Sequence, residues 1–300
     1  MGLWPLFAIP TLIWGSTWFA IKFQLGVVAP QASVAYRFAL AALILAAWCA
    51  ATGRSLALPR RAHAWMALQG VTMFGLNYVA VYEAEARLAS GLVAVVFSTI
   101  VFMTPFGARA AFGVPVAART LGGAALGVAG VALLFLPELS AAGEGGTSAI
   151  GLAFAVASPL VAAVGNLVSM RMQRDGLPVL TSTAWGMGYG AIAVAAAAAA
   201  SGAAWTFDAR LPYVLSLLYL AVFGSIVAFG TYLTLLERAG PGPSSFVGVA
   251  TPVVAMLFST AFEGYRWTWV GALGVALAAV GNVIALYPAQ PSAGSRAARR

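Results

Sequence analysis

The feature that most constrains this chain is a succession of apolar runs, each about 20 residues long, separated by short breaks. That length matches a helix crossing a bilayer, whereas barrel strands are about 10 residues of alternating polarity. Ten such spans are predicted, at 3–22, 31–51, 64–83, 90–110, 117–137, 149–171, 178–200, 211–236, 242–262 and 267–287. The breaks carry turn and charge signals, among them Pro59-Arg60-Arg61, Asp175-Gly176 and Gly240-Pro241-Gly242-Pro243. A soluble domain carries roughly 25% charged residues; here 8% are charged and 62% hydrophobic. The predicted fold class is therefore an all-α polytopic membrane protein. The first run starts at residue 3 without a basic n-region or cleavage site, so it reads as a retained helix. Loops are too short to hold a soluble domain. Residues 289–300 are small and polar and read as a disordered tail.

Charge placement predicts orientation. With the N-terminus inside, the inner loops and tail hold Arg54, Arg60, Arg61, Arg109, Arg119, Arg171, Arg174, Arg238, Arg296, Arg299 and Arg300. The outer side holds Lys22, Arg87, Arg210 and Arg266, and Arg37 falls within a span. Basic residues favour the cytoplasmic side, so both termini are expected there. Six acids fall outside in this arrangement: Glu83, Glu85, Glu138, Glu144, Asp208 and Glu263.

Self-similarity divides the chain in two. Pro10 and Pro159, Lys22 and Arg171, and Tyr36 and Trp185 share an offset of 149; Gly123 and Gly130 repeat as Gly274 and Gly281 at 151. Residues 1–140 and 141–288 thus read as two five-helix repeats. Five is odd, so the second enters the membrane inverted relative to the first. Inverted repeats build transporters whose site lies near the midplane. The run Ser90–Ala111 with Pro105 is the counterpart of Ser244–Phe262 with Pro252, but Phe112 stands where the other half has Glu263.

Trp14-Gly15-Ser16, Tyr36-Arg37-Phe38, Ala250-Thr251-Pro252, Glu263 and the glycine-spaced span through Gly274 and Gly281 resemble the drug/metabolite transporter superfamily, in its ten-span EamA-type branch. The resemblance covers about residues 5–287 and departs at Phe112. It implies a transporter in the bacterial inner (plasma) membrane, with the lipid bilayer and a small molecule as partners. The aromatic content is similar to that of the branch's exporters of aromatic amino acids.

Polar residues inside spans are costly, so they are expected to face the bundle or a watery cavity. Gln69, Met73 and Asn77 share one helical face, with Tyr78 and Tyr82 on an adjoining stripe; Thr181, Trp185 and Tyr189 form another, as do Ser158, Asn166 and Met170. Expected substrate-binding residues are Trp14, Asn77, Tyr78, Tyr82, Ser98, Asn166, Trp185 and Tyr189. Interhelical hydrogen bonding is the alternative for the amides and hydroxyls, and the interfacial aromatic belt for the rings. Expected hinges are Pro105 with Gly107 and Pro252 with Gly248, since a proline removes one backbone hydrogen bond from a helix; a fixed kink is the alternative. Arg37 reads as structural or as a carboxylate ligand, and Glu83 and Glu85 as solvated interfacial charges, with coupling sites as the alternative.

Other chemistries lack their residues. No acid occurs between Met1 and Tyr82, so a carboxylate in the first span, as a multidrug exporter of cations would use, is absent. His63 is the single histidine, Cys49 the single cysteine, and no phosphate-binding glycine loop precedes a lysine. No metal, cofactor, enzymatic activity or nucleic-acid partner is expected; a monomer and a homodimer both stay open. The expected function is a secondary active or facilitative exporter of small amphipathic metabolites, aromatic or bulky amino acids first, working by alternating access. A multidrug or quaternary-ammonium exporter and a channel-like or scaffold subunit are the alternatives.

Overall fold

The structure, a computed structural model, describes residues 2–141, 147–239 and 241–286. The predicted tail, Glu144 and Tyr287 lie outside these, as do the side chains of Glu138, Glu237 and Ser244–Phe246. Among the described residues every regular element is helical. In chain order the helices are α1 (Leu3–Lys22), α2 (Pro30–Ala51), α3 (60–85), α4 (Ser90–Phe112), α5 (Ala118–Ala141), α6 (Thr147–Arg174), α7 (Val179–Ala200), α8 (211–239), α9 (Pro241–Phe262) and α10 (Trp269–Leu286). Each predicted span overlaps one of these helices; those at 117, 178 and 267 begin one or two residues before their helix, and α3 starts at Arg60, well before 64. Among the described residues six helices are long and apolar enough to cross a membrane: α1, α2, α4, Ala149–Arg174 of α6, α7 and Leu211–Tyr232 of α8. Shorter apolar helical stretches occupy Ala118–Leu134, Val247–Phe262 and Trp269–Ile284. Large apolar side chains such as Leu43, Ile192 and Leu257 stand on the outside of the bundle. In water they would form a liability; against lipid they are at home.

Three helices depart from regular α geometry. α3 has a π-helical stretch at Gly70–Leu76, and α8 has one at Leu220–Val227. A π turn widens the helix and strands a carbonyl. In α8 the Ser225 hydroxyl donates to Leu220 O, five residues back, at 3.0 Å. α4 is interrupted at Ser98–Thr99, between Ser90–Phe97 and Ile100–Phe112. There the Ser98 hydroxyl donates to Val95 O and the Thr99 hydroxyl to Val96 O, each at 2.7 Å. Pro105 stands inside the second piece of α4, and Pro252 inside a continuous α9.

Packing follows small residues. α5 and α10 cross with their backbones nearly touching. A Cβ on Gly274 would lie 2.6 Å from Gly130 O, and one on Gly281 would lie 2.5 Å from Gly123 O. No other residue type permits that approach, which is how small residues join helices where lipid removes the hydrophobic drive. α2 packs along α7, with Phe38, Ala41, Ala42, Leu45 and Cys49 buried. The pairs α2–α7 and α5–α10 form the frame; α1, α3, α4, α6, α8 and α9 surround the interior.

Candidate transport cavity

The six interior helices enclose a cavity of about 390 Å³. α1 contributes Trp14, Thr17, Trp18 and Ile21, α3 contributes Met73, Asn77, Tyr78 and Val81, and α4 contributes residues from Ala94 to Pro105. α6 adds Ala162 and Asn166, α8 Phe229 and Tyr232, and α9 Gly248, Thr251 and Pro252. None of these lining residues carries a charge.

The walls are rings held in place by one another. Trp14 meets Phe229 edge-on at 5.1 Å and Tyr232 at 5.3 Å, and its indole N–H donates to Gly224 O at 3.0 Å. With that donor occupied, Trp14 offers the cavity its apolar face. Trp18 leans on Phe97 at 5.3 Å. Such aromatic pairs add about 0.5–1.5 kcal/mol beyond burial, which makes a preformed wall for a flat apolar group.

The polar groups divide into used and unused. Asn166 Nδ2 donates to Thr104 Oγ1 at 3.2 Å, joining α6 to α4. Ser98 Oγ is engaged twice: it donates to Val95 O and accepts from Asn282 Nδ2 at 3.0 Å. Asn77 Nδ2 donates to Met73 O at 3.1 Å, within its own helix. Asn77 Oδ1, buried, has no partner among the described residues, and neither does Trp18 Nε1. Asn77 and Trp18, both lining residues, thus each keep one buried polar atom unpaired.

Of the residues singled out from sequence, Trp14, Asn77, Tyr78, Ser98, Asn166, Pro105, Gly248 and Pro252 meet at this cavity. Tyr82 does not line it; its side chain is fully buried one turn further along α3. Trp185 and Tyr189 lie elsewhere. Trp185 donates to Leu56 O at 3.0 Å, Tyr189 bonds His63 Nδ1 at 2.8 Å, and the two rings stack at 5.8 Å. Gly107 makes room for Leu167, since a Cβ there would sit 2.7 Å from Leu167 Cδ1. Gln69 bonds Ser169 at 2.7 Å, the interhelical role that was its alternative. The sequence reading passed over Phe97, Phe229, Tyr232 and Asn282. Phe229 and Tyr232 at i, i+3 in an apolar helix were the signal available for α8.

Beyond Ile21 the bundle is sealed. Glu263, at the end of α9, accepts the backbone N–H of Ser90 at 2.9 Å, the Ser90 hydroxyl, and the Ser259 hydroxyl at 3.2 Å. A carboxylate at the first turn of α4 is favoured by the exposed N–H groups there. Lys22 Nζ donates to Glu85 O at 2.5 Å and Leu88 O at 2.6 Å, and lies 4.0 Å from Glu263. A side chain on Gly91 would strike Met256 Sδ at 2.6 Å, so α4 and α9 are close-packed at this end. At the other end, Phe112 has Arg174 over its ring at 4.4 Å. Among the described residues α9 packs along Ser90–Phe97 and has few contacts with Ile100–Phe112, and a Cβ on Gly248 would meet Val101 at 3.6 Å.

Two charges are buried, one of them, Glu85, expected in solvent. Glu83 pairs with Arg87 at 2.7 Å, but Glu85 is 1% exposed, so it is not a solvated charge. Two residues along a helix is about 200° of rotation, which turns Glu85 inward where Glu83 faces out. Arg37 is also 1% exposed; its guanidinium lies 4.5 Å from the Tyr78 ring centre and its Nε 3.4 Å from Ser225 Oγ.

The uncharacterized inner membrane transporter YedA of Escherichia coli is 29% identical over 293 residues, 95% of this chain and 92% of that protein. A chloroplastic WAT1-related protein of Arabidopsis thaliana is 24% identical over 95% of this chain and 69% of its own length. A protein of known crystal structure superposes with a TM-score of 0.68 at 18% identity, covering 93% of this chain and 94% of that one. The profile of the EamA-like transporter family matches residues 4–136 and again 149–287, one copy for each half of the helix bundle. This chain is a member of the EamA-like transporter family.

Proposed function

We propose that this protein exports small amphipathic metabolites, aromatic or bulky amino acids first, across a bacterial inner membrane, without ATP. The observation that carries the reading is the uncharged, aromatic-walled cavity of about 390 Å³ with a free Asn77 acceptor. Its size lies in the range of small-molecule sites. Rings suit a flat apolar side chain, and Asn77 Oδ1 suits an ammonium. A cavity without a carboxylate favours a zwitterion over a permanent cation, and one without lysine or arginine disfavours phosphates. The inner-membrane location rests on the similarity to YedA.

The mechanism is alternating access between two inverted five-helix repeats that together span the membrane ten times. Three features support the inversion. The π-helical stretches fall at equivalent places, 70–76 and 220–227. The cavity helices are the first, third and fourth of each half, while the second and fifth pair with their own counterparts. Gly130 meets Gly274 while Gly123 meets Gly281, so exchanging equivalent glycines exchanges the contacts. That pattern belongs to antiparallel helices related by a two-fold axis in the membrane plane. With the termini inside, the sealed end is the outer one and the loosely packed α4–α9 end opens inward. The Ser98–Thr99 interruption and Pro252 supply the bends that reverse this.

The test is efflux from proteoliposomes loaded with labelled Phe, Trp or Thr. Saturable efflux of at least the aromatic pair is expected. Efflux no faster than from protein-free liposomes for all three overturns the substrate assignment.

A further inference from the structure

Glu85 is the one acid of α3 that the chain takes out of water without giving it a partner. Both carboxylate oxygens are buried and make no hydrogen bond, and the residue forms no ion pair among the described residues. It lies two residues beyond the apolar stretch 64–83, at the end of the bundle sealed by Glu263. It also borders a crevice with Lys22, Arg87 and Glu263 that opens beside the seal.

The charges around it do not satisfy it. Lys22, on α1, is the nearest cation, but its ammonium is committed to the carbonyls of Glu85 and Leu88 and leans towards Glu263. Glu263, on α9, is fully bonded by Ser90 and Ser259 and adds a second negative charge. Arg37, on α2, acts from beyond hydrogen-bond reach, and the phenol of Tyr82 stands unbonded on the same turn of α3. Tyr213, on α8, is tied to Ser33 at 3.0 Å, and Glu83 is neutralised by Arg87. Removal from water is the largest influence on Glu85 and favours its neutral form; Lys22 and Arg37 oppose this and Glu263 reinforces it. A bare buried carboxylate costs several kcal/mol, so the group takes a proton instead.

Resting on the transport reading above, we propose that Glu85 is a proton-binding site linked to the outer seal: it holds one proton while α1, α3, α4 and α9 meet there and releases it to external water when they part. The sign follows. In the parted state Glu85 is hydrated and ionised near neutral pH. Closing raises its proton affinity, so closure is favoured as external pH falls and loses that support as external pH rises. One proton allows at most about tenfold per pH unit in the closing equilibrium. Each closing thus takes one proton from external water and each opening returns it there, so external pH biases the seal without a proton crossing the membrane.

The test places a cysteine at Ala94, which is buried behind the seal, in a Cys49→Ala background. Right-side-out vesicles are labelled with a membrane-impermeant maleimide at external pH ~6 to ~8, and each rate is divided by that of the same protein carrying E85Q, which cancels the thiol's own pH dependence. The expected ratio rises severalfold with pH. A flat or falling ratio overturns the proposal. If E85Q does not insert, E85A takes its place. Infrared spectra of the wild-type protein give a second readout: the protonated-carboxyl band must strengthen as pH falls over this interval, and its absence throughout overturns the proposal. Neither readout uses a substrate, so each fails or succeeds independently of the efflux panel.

Discussion

Replacing Glu263 with glutamine alters one side chain at the seal and nearly preserves its shape. The carboxylate accepts from the Ser90 N–H, the Ser90 hydroxyl and the Ser259 hydroxyl. Glutamine keeps one acceptor oxygen and turns an amide NH2, which can only donate, towards the others. Hydrogen bonds to a charged acceptor contribute about 1.5–3 kcal/mol against about 0.5–1.5 for neutral pairs. A negative charge at a helix N-terminus adds about 0.3–1 kcal/mol. Losing one bond, weakening another and removing the charge gives roughly 2–4 kcal/mol before screening. The Glu263 side chain is 12% exposed, so partial screening brings this to about 2 kcal/mol. That is roughly a thirtyfold shift of the closing equilibrium towards the outward-open form. The assay is external maleimide labelling of Ala94→Cys, in the Cys49→Ala background, at constant pH. Labelling faster by about an order of magnitude is expected. An unchanged or slower rate in a protein of normal thermal stability refutes the idea that these bonds hold the outer end shut.

Asn77→Ala removes the free acceptor from the cavity and should weaken substrate binding about tenfold, read as a rise in the half-saturation concentration of efflux. Trp185→Ala should leave that concentration unchanged, because Trp185 bonds Leu56 and stacks on Tyr189 away from the cavity. Gly274→Val forces α5 and α10 apart at a crossing where its Cβ would sit 2.6 Å from a carbonyl; a loss of at least about 1–3 kcal/mol should appear as a lower melting temperature in detergent.

The helices were readable from sequence because span length and charge breaks are set by the bilayer itself. The division into two halves was suggested by equivalent positions such as Gly123 and Gly274, which keep the same residue. The cavity was readable only where a polar residue marked it, as Asn77 and Asn166 did. Helical periodicity tells which side chains share a stripe, and leaves open which neighbour that stripe faces. Trp185 and Tyr189 share a stripe as predicted, but α7 presents it to His63 and the loop at Leu56. Phe229 and Tyr232 share a face of α8 at i, i+3, but that spacing alone does not separate a cavity wall from packing. Glu85 was misread for the opposite reason. Its neighbour Glu83 is an ordinary interfacial charge, and nearness in sequence hid a half-turn difference in direction. The interruption of α4 at Ser98–Thr99 was not expected either, because Pro105 drew attention seven residues later.

The central claim is that one cavity is exposed alternately to the two sides. Counterflow tests it most directly: proteoliposomes filled with unlabelled Trp are diluted into trace labelled Phe, and internal label is followed. A carrier of this kind predicts a transient accumulation of label above its external concentration, decaying as the Trp gradient runs down. Label that only rises to the external concentration without an overshoot, as an open channel gives, contradicts the account.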